Sequence, residues 1–236
     1  MQSVSENLLD SSPGKLPIRQ THEGRVVRLE PLNVATHAEA LYEGSHGNGK
    51  ETLWRYLFDG PFPDAKAFDN YLERFASLND QLFLAIVDQA SGLAVGFASY
   101  LRIEPGHRCI EVGNILYTPR LQQTVGATEA MYLMARHVFD DLGYRRYEWK
   151  CNALNVPSRR AAPRLGFTFE GIFRQHMIVK GRNRDTAWYA MLDSEWPGRK
   201  ANFERWLDRE NFDADGRQKL SLSALGEQLQ HDHEKN

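Results

Sequence analysis

Residues 118–130, TPRLQQTVGATEA, join the end of an apolar run to the start of a helical pattern. The first N–H groups of a helix have no intrahelical partner and sit at the positive end of its dipole, so such a junction can receive an anion. Arg120 supplies a cation, and Gln122, Gln123 and Thr124 supply side-chain donors. Val125, Gly126 and Ala127 then open the helix, the small residues letting a ligand approach the backbone. This composition suits a pyrophosphate, and it equally suits a polar loop capped by a threonine.

A second candidate pair stands at 155 and 158 in CNALNVPSRRAAPRLGFTFEG, where Asn155 and Ser158 flank the start of a short helix. Both residue types make turns and cap helices, which is the plainer reading of the pair alone. Glu111 lies in the strand before the first loop, where strict alternation puts it on one side with Gly113 and Ile115. Its carboxylate suits either a general base taking a proton from an amine or an ion pair with Arg102 or Arg108. Glu148 and Asp185 are further carboxylates of the same kind. Cys151 ends a strand near Asn155, and a free cysteine there is a packing residue before it is a nucleophile.

The elements that must position these residues follow from apolar periodicity. Residues 24–32 read as a strand, 33–45 as a helix, 49–64 as a helix carrying Trp54, Tyr56, Phe58 and Phe62 and broken at Gly60-Pro61, and about 64–77 as another helix. QLFLAIVD, GLAVGFASYLRIEP and RCIEVGNILYTP are three strands, the first two joined by a hairpin turn. A helix over 125–142 stops at Gly143, and YRRYEWKCN is a strand. The short helix holding Pro163 should kink or end early. A long strand then pairs back through Gly-Arg-Asn to RDTAWYAMLD. Hairpins mixed with crossover helices predict an α+β (mixed α/β) fold with helices on both faces of one sheet.

The stretch 110–193 resembles the GCN5-related N-acetyltransferases (GNAT), and within them the branch of ribosomal-protein N-terminal acetyltransferases (RimJ/RimL-like). The resemblance rests on ATEAMYLMARHVFDDLGYRR, on the run N-x-x-S-R-R-A-A-x-R-LGF-x-x-EG and on KGRNRDTAWYAML. It implies a central twisted, mostly antiparallel sheet in which two parallel strands splay apart, with acetyl-coenzyme A (acetyl-CoA) as cosubstrate. The pantetheine arm would pair with the backbone of Ile115, Leu116 and Tyr117, and the diphosphate would sit on Arg120, Gln122, Gln123, Thr124, Val125, Gly126 and Ala127. Asn155 would bond the pantetheine amide, Ser158 would meet the departing sulfur, and Glu111 would serve as base. The chain departs from the family pattern at Gln123 and Val125, where glycines are expected, and donation by that backbone would require both in the right-handed region.

These features predict N-acetylation of a primary amine, on a small molecule or a peptide, by direct attack in a ternary complex. The alternative is an acyl-CoA sensor without catalysis. The acceptor would enter from the face of the N-terminal helices, whose aromatics form either core or a cage for a cation.

The formal charge of -2 over 236 residues argues against a nucleic-acid surface, and no run approaches the roughly 20 apolar residues of a membrane span, so a cytoplasmic protein is expected. Two cysteines without metal-type spacing predict reduced thiols and no metal centre, and HDHEKN reads as a solvated terminus. The domain organisation is a loose leader over 1–15, an acetyltransferase domain over 16–197, and a polar, partly helical extension over 198–236 whose final 25 or so residues are weakly ordered. Exposed strand edges make a homodimer conceivable.

Overall fold

In the computed structural model, which describes residues 11–233, eight strands form one sheet. They are β1 (His22–Glu23), β2 (Val27–Pro31), β3 (Leu82–Asp88), β4 (Ala94–Glu104), β5 (Cys109–Tyr117), β6 (Arg146–Asn152), β7 (Thr168–Val179) and β8 (Arg182–Leu192). Their order is β1-β2-β3-β4-β5-β6-β8-β7, and of these neighbours only β5 and β6 run parallel. The helices are α1 (Val34–Ser45), α2 (Ala65–Ala76), α3 (Val125–Arg136), α4 (Val156–Arg164), α5 (Trp196–Leu207) and α6 (Leu222–His233).

The sheet is covered on both faces, each with its own core. Leu41, Trp54, Phe68 and Leu72 pack with Phe83 and Phe97 on the side of α1 and α2. Leu133, Met134, Trp196 and Phe203 pack with Tyr147 and Met191 on the side of α3 and α5. This is the mixed α+β arrangement expected from the order of the elements. One polar device fastens α3 to the sheet: buried Glu129 accepts the backbone N–H groups of Arg25, Val26 and Val27 at 2.8, 2.6 and 2.8 Å. A carboxylate taking three such bonds recovers much of what burial costs it.

Several expectations need correction. The segment 49–64 holds only a 3₁₀ turn, Glu51–Trp54, and no longer helix. Its carbonyls are met from elsewhere: Lys180 Nζ donates to Trp54 O and Gly60 O at 2.8 and 2.6 Å, and Gly60 has a φ of +69° that an ordinary helix excludes. Residues 1–10 of the expected leader lie outside the described residues, but Gly14 and Lys15 donate to Pro105 O and Leu142 O, each at 3.0 Å. The last 25 residues include α6, whose Leu222 and Leu225 are buried against the α3 and α5 core. The HDHEKN tail falls among residues whose side chains, or whole structure, lie outside the description. Pro163 does stand near the end of α4, which stops after Arg164. Both cysteines are free thiols.

Candidate active site

The parallel pair β5 and β6 holds together only from Cys109–Val112 opposite Arg146–Trp149. Past that point Lys150, Cys151 and Asn152 pair with β8 alone, while β5 continues along β4. The separation has a local cause. Gly113 opposes Ser99 and Leu116 opposes Phe97, so β5 carries one extra residue, and Asn114 takes a φ of +50° with its Nδ2 donating to Ser99 Oγ at 3.0 Å. A bulge of this kind bends and twists its strand away from a partner. It also corrects the expected alternation: Gly113 keeps the side of Glu111, but Ile115 crosses to the α3 core and Leu116 joins the α1 and α2 core. The opened side of β5 over Gly113–Tyr117 is where an extended amide-bearing ligand can add.

Beyond β5, residues 118–124 turn into α3. Thr124 is the N-cap: its Oγ1 accepts from Ala127 N at 3.2 Å and donates to Leu121 O at 2.7 Å. Gln122 Nε2 donates to Tyr117 O at 3.1 Å, so two of the expected phosphate donors are spent inside the loop. Arg120 and Gln123 are exposed. The right-handed conformation required of Gln123 is not found: its φ is +60°, a left-handed value that glycine adopts without strain and that is held here by a residue with a side chain. Val125 begins α3 in the helical region. Gly126 is buried, and a Cβ there would lie 2.8 Å from Val27 Cγ1, so its smallness seats α3 on β2. Arg164 of α4, which sequence reasoning passed over, donates to Thr128 Oγ1 at 3.1 Å and brings a half-buried cation to the start of α3.

Across the opening, Asn155 Oδ1 accepts the backbone N–H of Ser158 at 3.2 Å, so Asn155 caps α4. Trp149 Nε1 donates to Ser158 Oγ at 3.0 Å. An indole only donates, so the serine oxygen is the acceptor, and the serine's own proton, directed at the Cys151 thiol here, is the one it can give to a departing sulfur. Burial pushes the neighbouring Cys151 thiol up, against the hydrogen bonds of Ser158 and Trp149, which does not favour a thiolate nucleophile.

The other face carries the charges. Glu111 is buried, paired with Arg102 and, at 3.0 Å, with Lys150. Lys150 also reaches Glu148 at 2.6 Å and stacks on Trp188 with Nζ 3.8 Å from the ring centre. Glu148 accepts in addition from Arg146 at 2.7 Å, and Asp185 accepts from Gln175 N and Asn183 Nδ2 at 2.7 and 2.9 Å. All three carboxylates weighed as bases are therefore engaged, Glu111 with the Arg102 anticipated for it and with a lysine that was not. His176 is differently placed. The β7 bulge between Phe173 and Met177 turns its ring toward Trp188, with Nδ1 3.0 Å from Thr186 Oγ1. In the Nδ1–H tautomer that bond leaves Nε2 free to accept a proton. Desolvation and then Arg102, Arg184 and Lys150 lower its pKa, keeping the ring neutral near pH 7. Nothing but a polar Arg-Gln-His triplet inside an apolar strand pointed to it.

Of the N-terminal aromatics, Trp54, Phe62 and Phe68 pack on one another, Trp54 lying 5.4 Å from Phe62 and 6.0 Å from Phe68. They form core. Phe58 instead meets the guanidinium of Arg184 at 5.0 Å, and Tyr56 donates to Leu154 O at 2.9 Å, so the segment after α1 covers the opening from this face. Among the described residues there is no cluster of three or more metal-ligating side chains, and no helix is long and apolar enough to cross a membrane.

This geometry can be set beside known proteins. Residues 27–168 match the acetyltransferase (GNAT) domain family. A GCN5-related N-acetyltransferase from Brucella melitensis is similar at 47% identity, with a TM-score of 0.90 over 92% of this chain and 98% of that one. The N-acetyltransferase YnaD of Bacillus subtilis is 28% identical over 161 residues, 67% of this chain and 89% of its own. RimL, a ribosomal L7/L12 alpha-N-protein acetyltransferase, shares the fold at 20% identity and a TM-score of 0.64, over 73% of this chain and 94% of its own.

Proposed function

We propose that this chain, which belongs to the acetyltransferase (GNAT) family and is an acyltransferase, moves the acetyl group of acetyl-CoA onto a primary amine by direct attack in a ternary complex. The family uses acetyl-CoA, and the observation that carries the reading is the parting of β5 and β6 after Val112, with Ser158 at the far wall. The residues fit such a cosubstrate. The free side of β5 over Gly113–Tyr117 takes the amides of the arm, while Arg120, the N–H groups of Val125 and Gly126, and Arg164 take the phosphates.

The cosubstrate supplies an activated acetyl thioester, and the chain supplies orientation and proton control. A backbone N–H of β5 beyond the Asn114 bulge faces the carbonyl oxygen and holds the negative charge that builds there. The acceptor enters beneath Phe58, and His176 Nε2 removes the proton that the attacking amine must lose. The leaving thiol has a pKa near the free cysteine value of roughly 8.5, so a hydrogen bond from Ser158 is sufficient assistance. Asn155 holds the first turn of α4, and with it Ser158, in place. Glu111 acts as the counter-charge that fixes Arg102 and Lys150 beside the acceptor. Direct attack is supported over an acetyl-cysteine route by the buried, neutral Cys151.

The test is incubation with acetyl-CoA and a panel of amines and peptides, following free thiol and acetylated product. Product with single-step, sequential kinetics is expected. Binding of acetyl-CoA without thiol release from any amine would instead favour the sensor reading. This reading places the reaction in the cytoplasm, where acetyl-CoA is available.

A further inference from the structure

Arg184 lies on β8 two residues beyond the last position paired with β6. It is 6% exposed, yet among the described residues it has no carboxylate within ion-pair distance. One of its five N–H donors is used, Nε donating to Thr186 Oγ1 at 3.2 Å, and its flat face rests on Phe58. A buried guanidinium without an anion is costly, and such groups are normally paired.

Glu111 is near enough to act on Arg184 through space, but no carboxylate among the described residues bonds it directly. Glu111 is held by Arg102 and Lys150, and Glu148 by Lys150 and Arg146. Asp185, next in sequence, accepts from Gln175 N and Asn183, and Asp59 of the covering segment pairs with Arg74. Arg102, Lys150 and His176 add positive or proton-binding groups to the same face, and Lys180, between β7 and β8, reaches the covering segment. Phe58 and Trp188 thus lie with Arg184, Lys150 and His176 on one face of the sheet, where the remaining guanidinium donors of Arg184 have no protein partner among the described residues.

We propose that Arg184 is the specificity determinant for the acceptor, binding a carboxylate that the amine substrate carries close to its amino group. This rests on the acetyl-transfer reading above. A planar carboxylate matches the guanidinium fork in a way that a lone cation or a neutral amide does not. The carboxylate can be that of a free amino acid or of an acidic side chain at a peptide N-terminus, and the two are separated by experiment.

The probes are leucine and glutamate against their carboxamides, and C-terminally amidated tetrapeptides beginning with Asp against the same peptides beginning with Asn. For the wild type, kcat/KM for the carboxylate member of at least one pair should exceed that of its amide by roughly 30-fold or more, as a charged hydrogen-bonded pair supplies. Preference within the first pairs identifies an amino-acid acceptor, and within the last a peptide. Arg184→Gln should reduce the ratio to about threefold or less, and Arg184→Lys, which keeps the charge and guards against a folding defect, should leave an intermediate ratio. Amides used as well as acids by the wild type, or a ratio retained in Arg184→Gln, would overturn the proposal. If no probe releases thiol, the transfer reading fails separately. Arg184 is then judged by thermal shift of the coenzyme A complex, where the acids but not the amides should raise the midpoint of wild type and lose that effect in Arg184→Gln. Equal shifts in both proteins would reject it.

Discussion

Trp149 and Ser158 are joined by an indole N–H donated to a hydroxyl oxygen at 3.0 Å, and Trp149 is itself buried in the core beneath α3. The serine is therefore aimed from the interior of the molecule. Ser158→Ala should lower kcat about 10- to 100-fold while KM for acetyl-CoA changes by less than about threefold, the pattern of a group acting on the leaving sulfur. Trp149→Phe keeps the packing but frees the hydroxyl, and should show a smaller loss of the same kind. An unchanged kcat in Ser158→Ala would remove the serine from the reaction.

His176 should impose an acid limb on kcat. Its pKa is lowered by desolvation and by the cations around it, so the neutral base prevails above its ordinary value of about 6.5 and is lost only at more acidic pH. Activity is thus expected to be independent of this group from pH 7 upward and to fall only at pH below the ordinary histidine value. His176→Gln should lower kcat at pH 7.5 and abolish that limb. A limb that survives the substitution belongs to another group.

Gln123 holds a left-handed conformation that costs a residue with a Cβ about 1 kcal/mol. Glycine removes that cost in the folded chain and adds a similar one in the unfolded chain, so Gln123→Gly should leave the melting temperature nearly unchanged. With the side chain gone the loop can close more tightly on phosphate, and Kd for coenzyme A should fall severalfold. Calorimetry on the two proteins decides it, since equal affinities would mean the loop is already closed.

Glu129 answers three backbone N–H groups at the start of β2. Glu129→Ala strands those donors in a buried seam and should destabilise the fold by about 3 kcal/mol, judged from the cost of unsatisfied groups. Urea unfolding measures this directly. Because α3 begins at the phosphate loop, the variant should also weaken coenzyme A binding.

His22 is buried with its Nε2 unpartnered and its ring centre 4.3 Å from that of His137. Burial first, and then His137, lower its pKa to about 4. The unfolded chain binds this proton near pH 6.5 and the folded chain only near 4, so stability is full above 6.5 and declines as pH falls through that window. The decline should reach about 3 kcal/mol at its acid end. His22→Gln should flatten the decline, seen as a smaller difference between denaturant midpoints at pH 7.5 and pH 5.

How much of this was legible in the sequence depends on range. The hairpin of β3 and β4, the stripe of α3 and the capped start of α4 are local patterns, and the structure keeps them with shifts of a residue or two. The order of hairpins and crossovers gave the mixed class. Asn155 and Ser158 were legible as a pair because a helix cap is a local device. What was hidden depends on irregularities that period-2 alternation cannot express. The bulge at Asn114 sends Ile115 to the opposite core, and the bulge before Met177 brings His176 to the acceptor face. The engagement of Glu111 by Lys150 crosses between parallel strands far apart in sequence. The segment 49–64 misled for a related reason, since the lysine that satisfies its carbonyls comes from the turn between β7 and β8, distant in sequence.

That lysine has a mechanical consequence. Lys180 stands at the tip between β7 and β8 and grips two carbonyls of the stretch bearing Phe58, while Arg184, four residues on, touches the Phe58 ring itself. Lid and floor of the entrance are fastened to the same hairpin, so a movement that admits an acceptor must carry both together, and the width of the doorway is governed from the hairpin tip.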